Sequence, residues 1–234
     1  MDNDTTNDFV TTTLWQVPGR ADQRAAADAA MARWRVGPWP EGCLSVTALL
    51  STDGGLVLFS ARWRDLASAD APWEGALAEA RAVAEVEPLE TLKARPAEAF
   101  AWREEERERP EEGPFPGCTV YIVIGTAGPA EQAQVAETIA GHVAGTPNPA
   151  GIGGQLLFTL DGTRVINWAE WTSEEAHREA VGAPALGGAR GIFDGMEGIE
   201  GLRMNRFQRY RALRPRPAET PAAGDGRGGA TPAP

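Results

Sequence analysis

The stretch from Leu49 to Trp63, LLSTDGGLVLFSARW, aligns without a gap on Leu157 to Trp171, LFTLDGTRVINWAEW. Six of the fifteen positions are identical: Leu49/Leu157, Asp53/Asp161, Gly54/Gly162, Val57/Val165, Ala61/Ala169 and Trp63/Trp171. Ordinary residue frequencies would give about one. The chain therefore carries an internal repeat at a spacing of 108 residues (157 − 49). Each copy reads as a strand, an Asp-Gly turn and a second strand. Asp-Gly suits the positive φ angles of a tight type I′ hairpin.

Working outward, the same spacing organises the flanks. Val135, Ile139 and Val143 recur at i, i+4, i+8, one face of a helix from about Ala130 to Ala144 that starts after Pro129. Their counterparts are Ala27, Met31 and Arg35, with Trp34 beside them, on an Ala-rich helix from Asp22 to Val36. A β-branched and aromatic strand precedes each helix, at Phe9 to Gln16 and at Cys118 to Ile124. A second helix follows each hairpin, at Ala67 to Ala84 and Ser173 to Val181. Last strands are expected near Ala97 to Arg103 and Leu202 to Arg211.

The order βαββαβ is the ferredoxin-like unit, an α+β fold. Two helices cover one face of each sheet, and the other face would be bare and apolar in an isolated unit. Two units packed sheet to sheet cover it, and fusion makes that pairing intramolecular. The expected parts are a disordered terminus at 1–8, a first repeat at 9–104, a charged Pro-rich linker at 105–117, a second repeat at 118–213 and a disordered Pro/Gly/Ala tail at 214–234.

Composition narrows function by exclusion. The 234 residues carry a net charge of −11, against the basic surface that nucleic acid or anionic membranes require. No run of about 18 apolar residues suggests a membrane span. The start, MDNDTTND, lacks the basic and apolar regions of a signal peptide, so the expected place is the cytoplasm. Cys43 and Cys118 have no metal-ligand spacing, and two buried thiols are expected rather than a disulfide. No metal site is expected. Neither a phosphate loop nor G-x-G-x-x-G occurs.

The run VINWAEWTSEEAHREAV, Val165 to Val181, resembles the antibiotic biosynthesis monooxygenase (ABM) family of the dimeric α/β barrel superfamily. In that family a strand ends in Trp before an acidic helix start. Its cofactor-independent anthrone oxygenases carry Asn four residues before the Trp, here Asn167 and Trp171. The resemblance implies a tandem member of that fold, an intramolecular dimeric α/β barrel. It implies a monooxygenase that oxidises an aromatic polyketide-type phenol or anthrone with O₂ in antibiotic biosynthesis. It also implies no cofactor, the substrate losing water from a hydroperoxide to give a quinone. The first repeat departs from the pattern: Phe59 replaces Asn167 and Ser60 replaces Trp168, while Trp63 keeps the Trp. The tyrosine those oxygenases place six residues after the Trp is His177 here.

Asn167 and Trp171 point to one strand face. An amide and an indole N–H could together hold a phenolate or enolate oxygen of a small aromatic substrate, stabilised electrostatically. His177 suits a general base. His142, aligned with Trp34, is expected as a satisfied core histidine, or as a second base or axial ligand. Arg190 and Arg206, with Trp63 and Phe59, complete the substrate-binding candidates. The Gly-rich stretch Gly182 to Gly198 reads as an entrance loop. Two alternatives stand beside the oxygenase: a heme-binding or heme-degrading protein, and a non-oxidative cyclase or accessory binding protein. A further homodimer of the fused pair stays open.

Overall fold

The computed structural model describes residues 8–36, 38–69, 73, 75, 77–78, 80–81, 86, 88–97, 116–145, 148–182, 191–193 and 196–215. In chain order these form β1 (Phe9–Gln16), α1 (Arg20–Val36), β2 (Cys43–Ser51), β3 (Leu56–Trp63), β4 (Pro88–Pro96), β5 (Cys118–Thr126), α2 (Pro129–Gly145), β6 (Gly151–Thr159), β7 (Arg164–Trp171), α3 (Glu174–Gly182) and β8 (Ile199–Leu213). The described residues between 73 and 81 are helical too. The expected linker and both expected disordered ends lie almost wholly outside the described residues.

The strands close into one antiparallel ring, β1-β3-β2-β8-β5-β7-β6-β4. Each repeat supplies a sheet of ferredoxin-like order, β4-β1-β3-β2 and β8-β5-β7-β6. Each fourth strand also pairs with the other repeat, β8 with β2 and β4 with β6. Closure removes the open edges that would template aggregation. Val10, Leu14, Leu49, Leu58 and Leu92 of the first repeat meet Tyr121, Leu157, Ile166, Trp168 and Phe207 of the second inside the barrel.

The register refines the repeat. Phe9 pairs with Trp63 where Cys118 pairs with Trp171, so the first strands are 109 apart while the hairpins stay at 108. Thr12 and Tyr121, equivalent at that 109 spacing, hydrogen-bond each other at 2.9 Å inside the barrel. Equivalent positions that touch mark the pseudo-two-fold axis. The helices follow the same shift. Gln23 on α1 donates to the Ser51 and Leu56 carbonyls, and Gln132 on α2 to those of Thr159 and Arg164. Each buried amide thus ties its helix to the base of its own hairpin. His142 is therefore the counterpart of Arg33, and Val143 of Trp34, which corrects the alignment made at a fixed 108. Val143 is 46% exposed, not inward as its spacing predicts. The inward line of α2 runs through Gln132, Val135, Ala136 and Ile139 to half-buried His142.

One further expectation is corrected and one is refined. Each hairpin loop has four residues, Thr52–Gly55 or Leu160–Thr163, so neither is a two-residue type I′ turn. The Ser51 carbonyl accepts from Gly54 N, and the Asp53 carboxylate accepts from Ser51 Oγ and Gly55 N. Asp161 repeats this with Thr159 and Thr163. Gly54 and Gly162 sit at φ 90° and 77°, where a Cβ would be strained. A fourth strand of the first repeat runs over Pro88–Pro96, ahead of the expected position at 97–103, which apart from Ala97 lies outside the described residues. Leu92 and Ala94 face the barrel interior, but Glu90 shares their face and breaks the alternation that reveals a strand.

Candidate active site

Helix α3 builds one wall of the candidate site. Ser173 caps it, its Oγ accepting from Ala176 N at 3.0 Å. Asp65 does the same for Ser68 N in the first repeat, so both repeats restart a chain at one point after the strand-end Trp. One turn into α3, His177 is 4% exposed. Its ring meets Trp171 edge to face, with centroids 5.0 Å apart. From β8, Arg206 Nε donates to His177 Nδ1 at 3.0 Å. The Arg206 carbonyl accepts from Thr52 N of the first repeat, so a hairpin of one half holds a site residue of the other.

Burial, then the charge of Arg206, pushes the His177 pKa down to about 4. His177 is neutral near pH 7, with its Nδ1 lone pair engaged. A general-base role would require that nitrogen to leave Arg206. Cys118, paired with Trp171 in the ladder, is a free buried thiol. Burial pushes it up to about 11, so it is not a thiolate nucleophile. Cys43 is likewise free and buried.

Strand β7 supplies the floor. Ile166 and Trp168 point into the barrel, which leaves Asn167, Ala169 and Trp171 on the helix-facing side. All three are half-exposed. Asn167 Oδ1 and Trp171 Nε1 are each buried without a hydrogen-bond partner, as is His142 Nε2. Buried polar atoms are ordinarily paired, so these three point to a ligand or water. Asn167 and Trp171 are four residues apart, ~13 Å along the strand. That span suits a fused multi-ring ligand rather than a single ring.

The first-repeat candidates lie elsewhere. Phe59 and Trp63 are fully buried in the layer between the first sheet and its helices. Phe59 packs edge-on against Trp15 at 4.6 Å, and Trp63 Nε1 donates to Thr11 Oγ1 at 2.9 Å. Neither approaches an open surface. Arg190 lies outside the described residues, as does most of the expected entrance loop. The structure thus brings together Trp171, His177 and Arg206, with Asn167 further along the same floor. Spacing did not link Arg206 to His177, since the contact crosses from a helix to a strand 29 residues away.

Fold and site define the class: a tandem dimeric α/β barrel with unpaired polar side chains on the helix-facing side of its second sheet. No family model and no curated protein sequence matches this chain. Solved structures do. An anthrone oxidase-like protein superposes with a TM-score of 0.69 at 16% identity, over 90% of this chain and 94% of that one. A protein of Fusobacterium nucleatum subsp. nucleatum assigned as a monooxygenase gives 0.59 at 14%, over 90% and 95%. A chlorite dismutase of Candidatus Nitrospira defluvii gives 0.53 at 16%, over 87% and 92%. These neighbours are oxidoreductases; at such identities the likeness establishes the fold. Among the described residues no helix is long and apolar enough to cross a membrane.

Proposed function

We propose that the chain is a cofactor-independent monooxygenase of the antibiotic biosynthesis monooxygenase type, acting on a multi-ring aromatic phenol or anthrone. One observation carries the reading: a half-exposed strand face on which a buried acceptor, Asn167 Oδ1, and a buried donor, Trp171 Nε1, both stand without partners. A hydroxyaromatic ketone supplies the complementary donor and acceptor. Deprotonated, such a substrate is electron-rich enough to pass an electron to O₂. Recombination gives a hydroperoxide, and loss of water leaves the quinone, so one O₂ yields one quinone oxygen and one water. The protein's part is to orient the ring system and stabilise its anion by preorganised dipoles.

Oxygen uptake with a panel of anthrones, compared under air and argon, tests this. Trp171→Phe is expected to lower kcat/KM by about 10²-fold, the usual scale for one lost oxyanion donor, and Asn167→Ala to lower it through the lost acceptor for the ligand hydroxyl. Undiminished turnover in both variants would sink the assignment.

A second reading rests on His142. Its Nε2 is buried without a partner, so His142 would be the residue to hold a heme iron, whereas His177 Nδ1 is committed to Arg206. Bound there, heme would supply iron redox chemistry. Hemin titration decides: this reading requires a Soret band that His142→Ala abolishes and His177→Ala leaves in place.

A further inference from the structure

We propose that Arg206 and His177 form a tautomer-setting pair that makes the candidate site selective for an anionic ligand oxygen. This rests on the aromatic-ligand reading above and adds which ionisation state of the ligand is bound, and by what.

An arginine side chain donates only. The 3.0 Å contact from Arg206 Nε therefore obliges His177 Nδ1 to be the acceptor. A neutral imidazole has one proton, and it must then sit on Nε2. Nothing among the described residues hydrogen-bonds that Nε2. The adjoining ring, 5.0 Å away, is Trp171, whose indole N–H also lacks a partner. Two unpaired N–H donors on touching rings, with a guanidinium behind one of them, form an oxyanion site. The acceptor Asn167 Oδ1 stands further along the floor and serves the hydroxyl at the other end of the ligand.

The charges around His177 agree with this. Arg206 faces it from β8, and Glu174 and Arg178 flank it on α3. Cys118 on β5, near Glu174, Glu175 and Arg206, stays a neutral thiol because burial holds it protonated. Glu174 is held ionised by its hydrogen bond from Arg178, and its pull on His177 is opposed by Arg178 and outweighed by Arg206. Arg206 is left as the cation nearest the ring. The carboxylates therefore do not convert His177 into an imidazolium, and it acts as a dipole aimed by Arg206. Arg206 is a positioning residue rather than a clamp on the substrate.

Two measurements test the pair. In full-length protein carrying His142→Gln, His177 is the only histidine. ¹⁵N NMR at pH 7 is expected to show a pyridine-type Nδ1 and a pyrrole-type Nε2. A protonated Nδ1, or two averaged nitrogens, overturns the proposal without any ligand. The second measurement titrates bound 2-hydroxyanthraquinone by its phenol-to-phenolate absorption change. The phenol is expected to ionise at least 10-fold more readily on the protein than in water. His177→Ala should erase that gain. His177→Gln, whose amide N–H reaches the Nε2 position, should keep most of it, and Arg206→Gln should lose part of it while moving the NMR signature. Binding with unshifted ionisation sinks the anion role alone. Failure of the probe to bind sinks the aromatic-ligand reading and the anion role with it, leaving the tautomer to stand or fall by NMR.

Discussion

Over β3 the helix-facing residues Phe59, Ala61 and Trp63 are sealed, none more than 1% exposed. Over β7 their counterparts Asn167, Ala169 and Trp171 are all half-exposed. The backbones are equivalent, so side chains make the difference. The first half fills its layer with Trp15, Met31, Trp34, Phe59 and Trp73. At the 109 and 108 spacings the second half answers the first four with Ile124, Ala140, Val143 and Asn167. Two indoles of the filled layer are paired, Trp63 to Thr11 and Trp73 to Thr13, whereas Trp34 Nε1 in that layer and Trp171 Nε1 in the second half are not. One half has become a packed scaffold. The other keeps a partly exposed strand face with two unsatisfied groups, Asn167 Oδ1 and Trp171 Nε1, which costs stability and is what a binding site requires.

Exchanging one pair of residues would break this contrast most directly. Phe59→Asn removes a fully buried ring and leaves an amide without partners. It is expected to destabilise the fold by ~3–5 kcal/mol from lost burial alone, with more from the stranded amide. Asn167→Phe should do the reverse. It should leave stability within about 1 kcal/mol, as for changes away from a sealed core, yet abolish aromatic-ligand binding. Denaturant unfolding and ligand titration on the two variants read both arms. Equal destabilisation by the two would show that the halves are equally packed.

A somewhat smaller effect sharpens the comparison through pH. His177 falls from an ordinary value near 6.5 to about 4 in the fold, and its counterpart in the first half is Ala69, buried and apolar. The unfolded chain takes up a proton near pH 6.5 that the folded chain refuses until near pH 4. Stability is therefore full above pH 6.5 and declines as the pH falls from there to 4. At ~1.4 kcal/mol per pH unit the loss is on the order of 3 kcal/mol. His177→Gln should flatten unfolding free energy across that window. The depressed carboxylates Asp53, Asp161 and Glu174 act at lower pH, so they do not mask the change.

Much of this was legible in the chain because the repeat is written in residues that backbone geometry demands. Asp-Gly at both hairpins and the strand-end Trp survive in both halves, so the ferredoxin-like order and the closed pairing follow. The barrel's finer register was hidden by one residue: the first half is a position longer before its hairpin, and a gapless alignment sets Gln132 opposite Arg24 instead of Gln23. Strand β4 was missed because Glu90 occupies an inward position. Asn167 and Trp171 could be placed on one face by period alone, and the structure agrees. The Arg206 contact to His177 could not be read, since no local pattern reports which strand a helix residue will meet. For the same reason the sequence offers Phe59 and Trp63 as ligand contacts although the structure buries both. Sequence assigned them to the right strand face, but burial on that face differs between the halves.

The smallest expected effect concerns how the unequal halves stay together. At the 14/123 level of β1 and β5, Leu14 pairs with Glu90 and Val123 pairs with Arg203. Glu90 and Arg203 thus hold equivalent places in the two repeats, and they form an ion pair with each other. Arg164 lies 3.7 Å from the same carboxylate. Two identical subunits would place like charges at both sites, so only a chain with distinct halves can build this pair. Arg203 is 41% exposed along its side chain, and solvent screening keeps such a pair at ~1 kcal/mol or less. Arg203→Glu alone should cost more than that, because two carboxylates then face each other. Adding Glu90→Arg should recover part of the loss, the remainder being withheld by Arg164 beside the new arginine, a coupling readable in a double-mutant cycle. The swapped protein must also retain whatever activity the native one shows, since both residues stand in the barrel and away from the candidate site. If the reversal fails to recover stability, the pair is incidental, and the apolar interior alone holds the two halves in register.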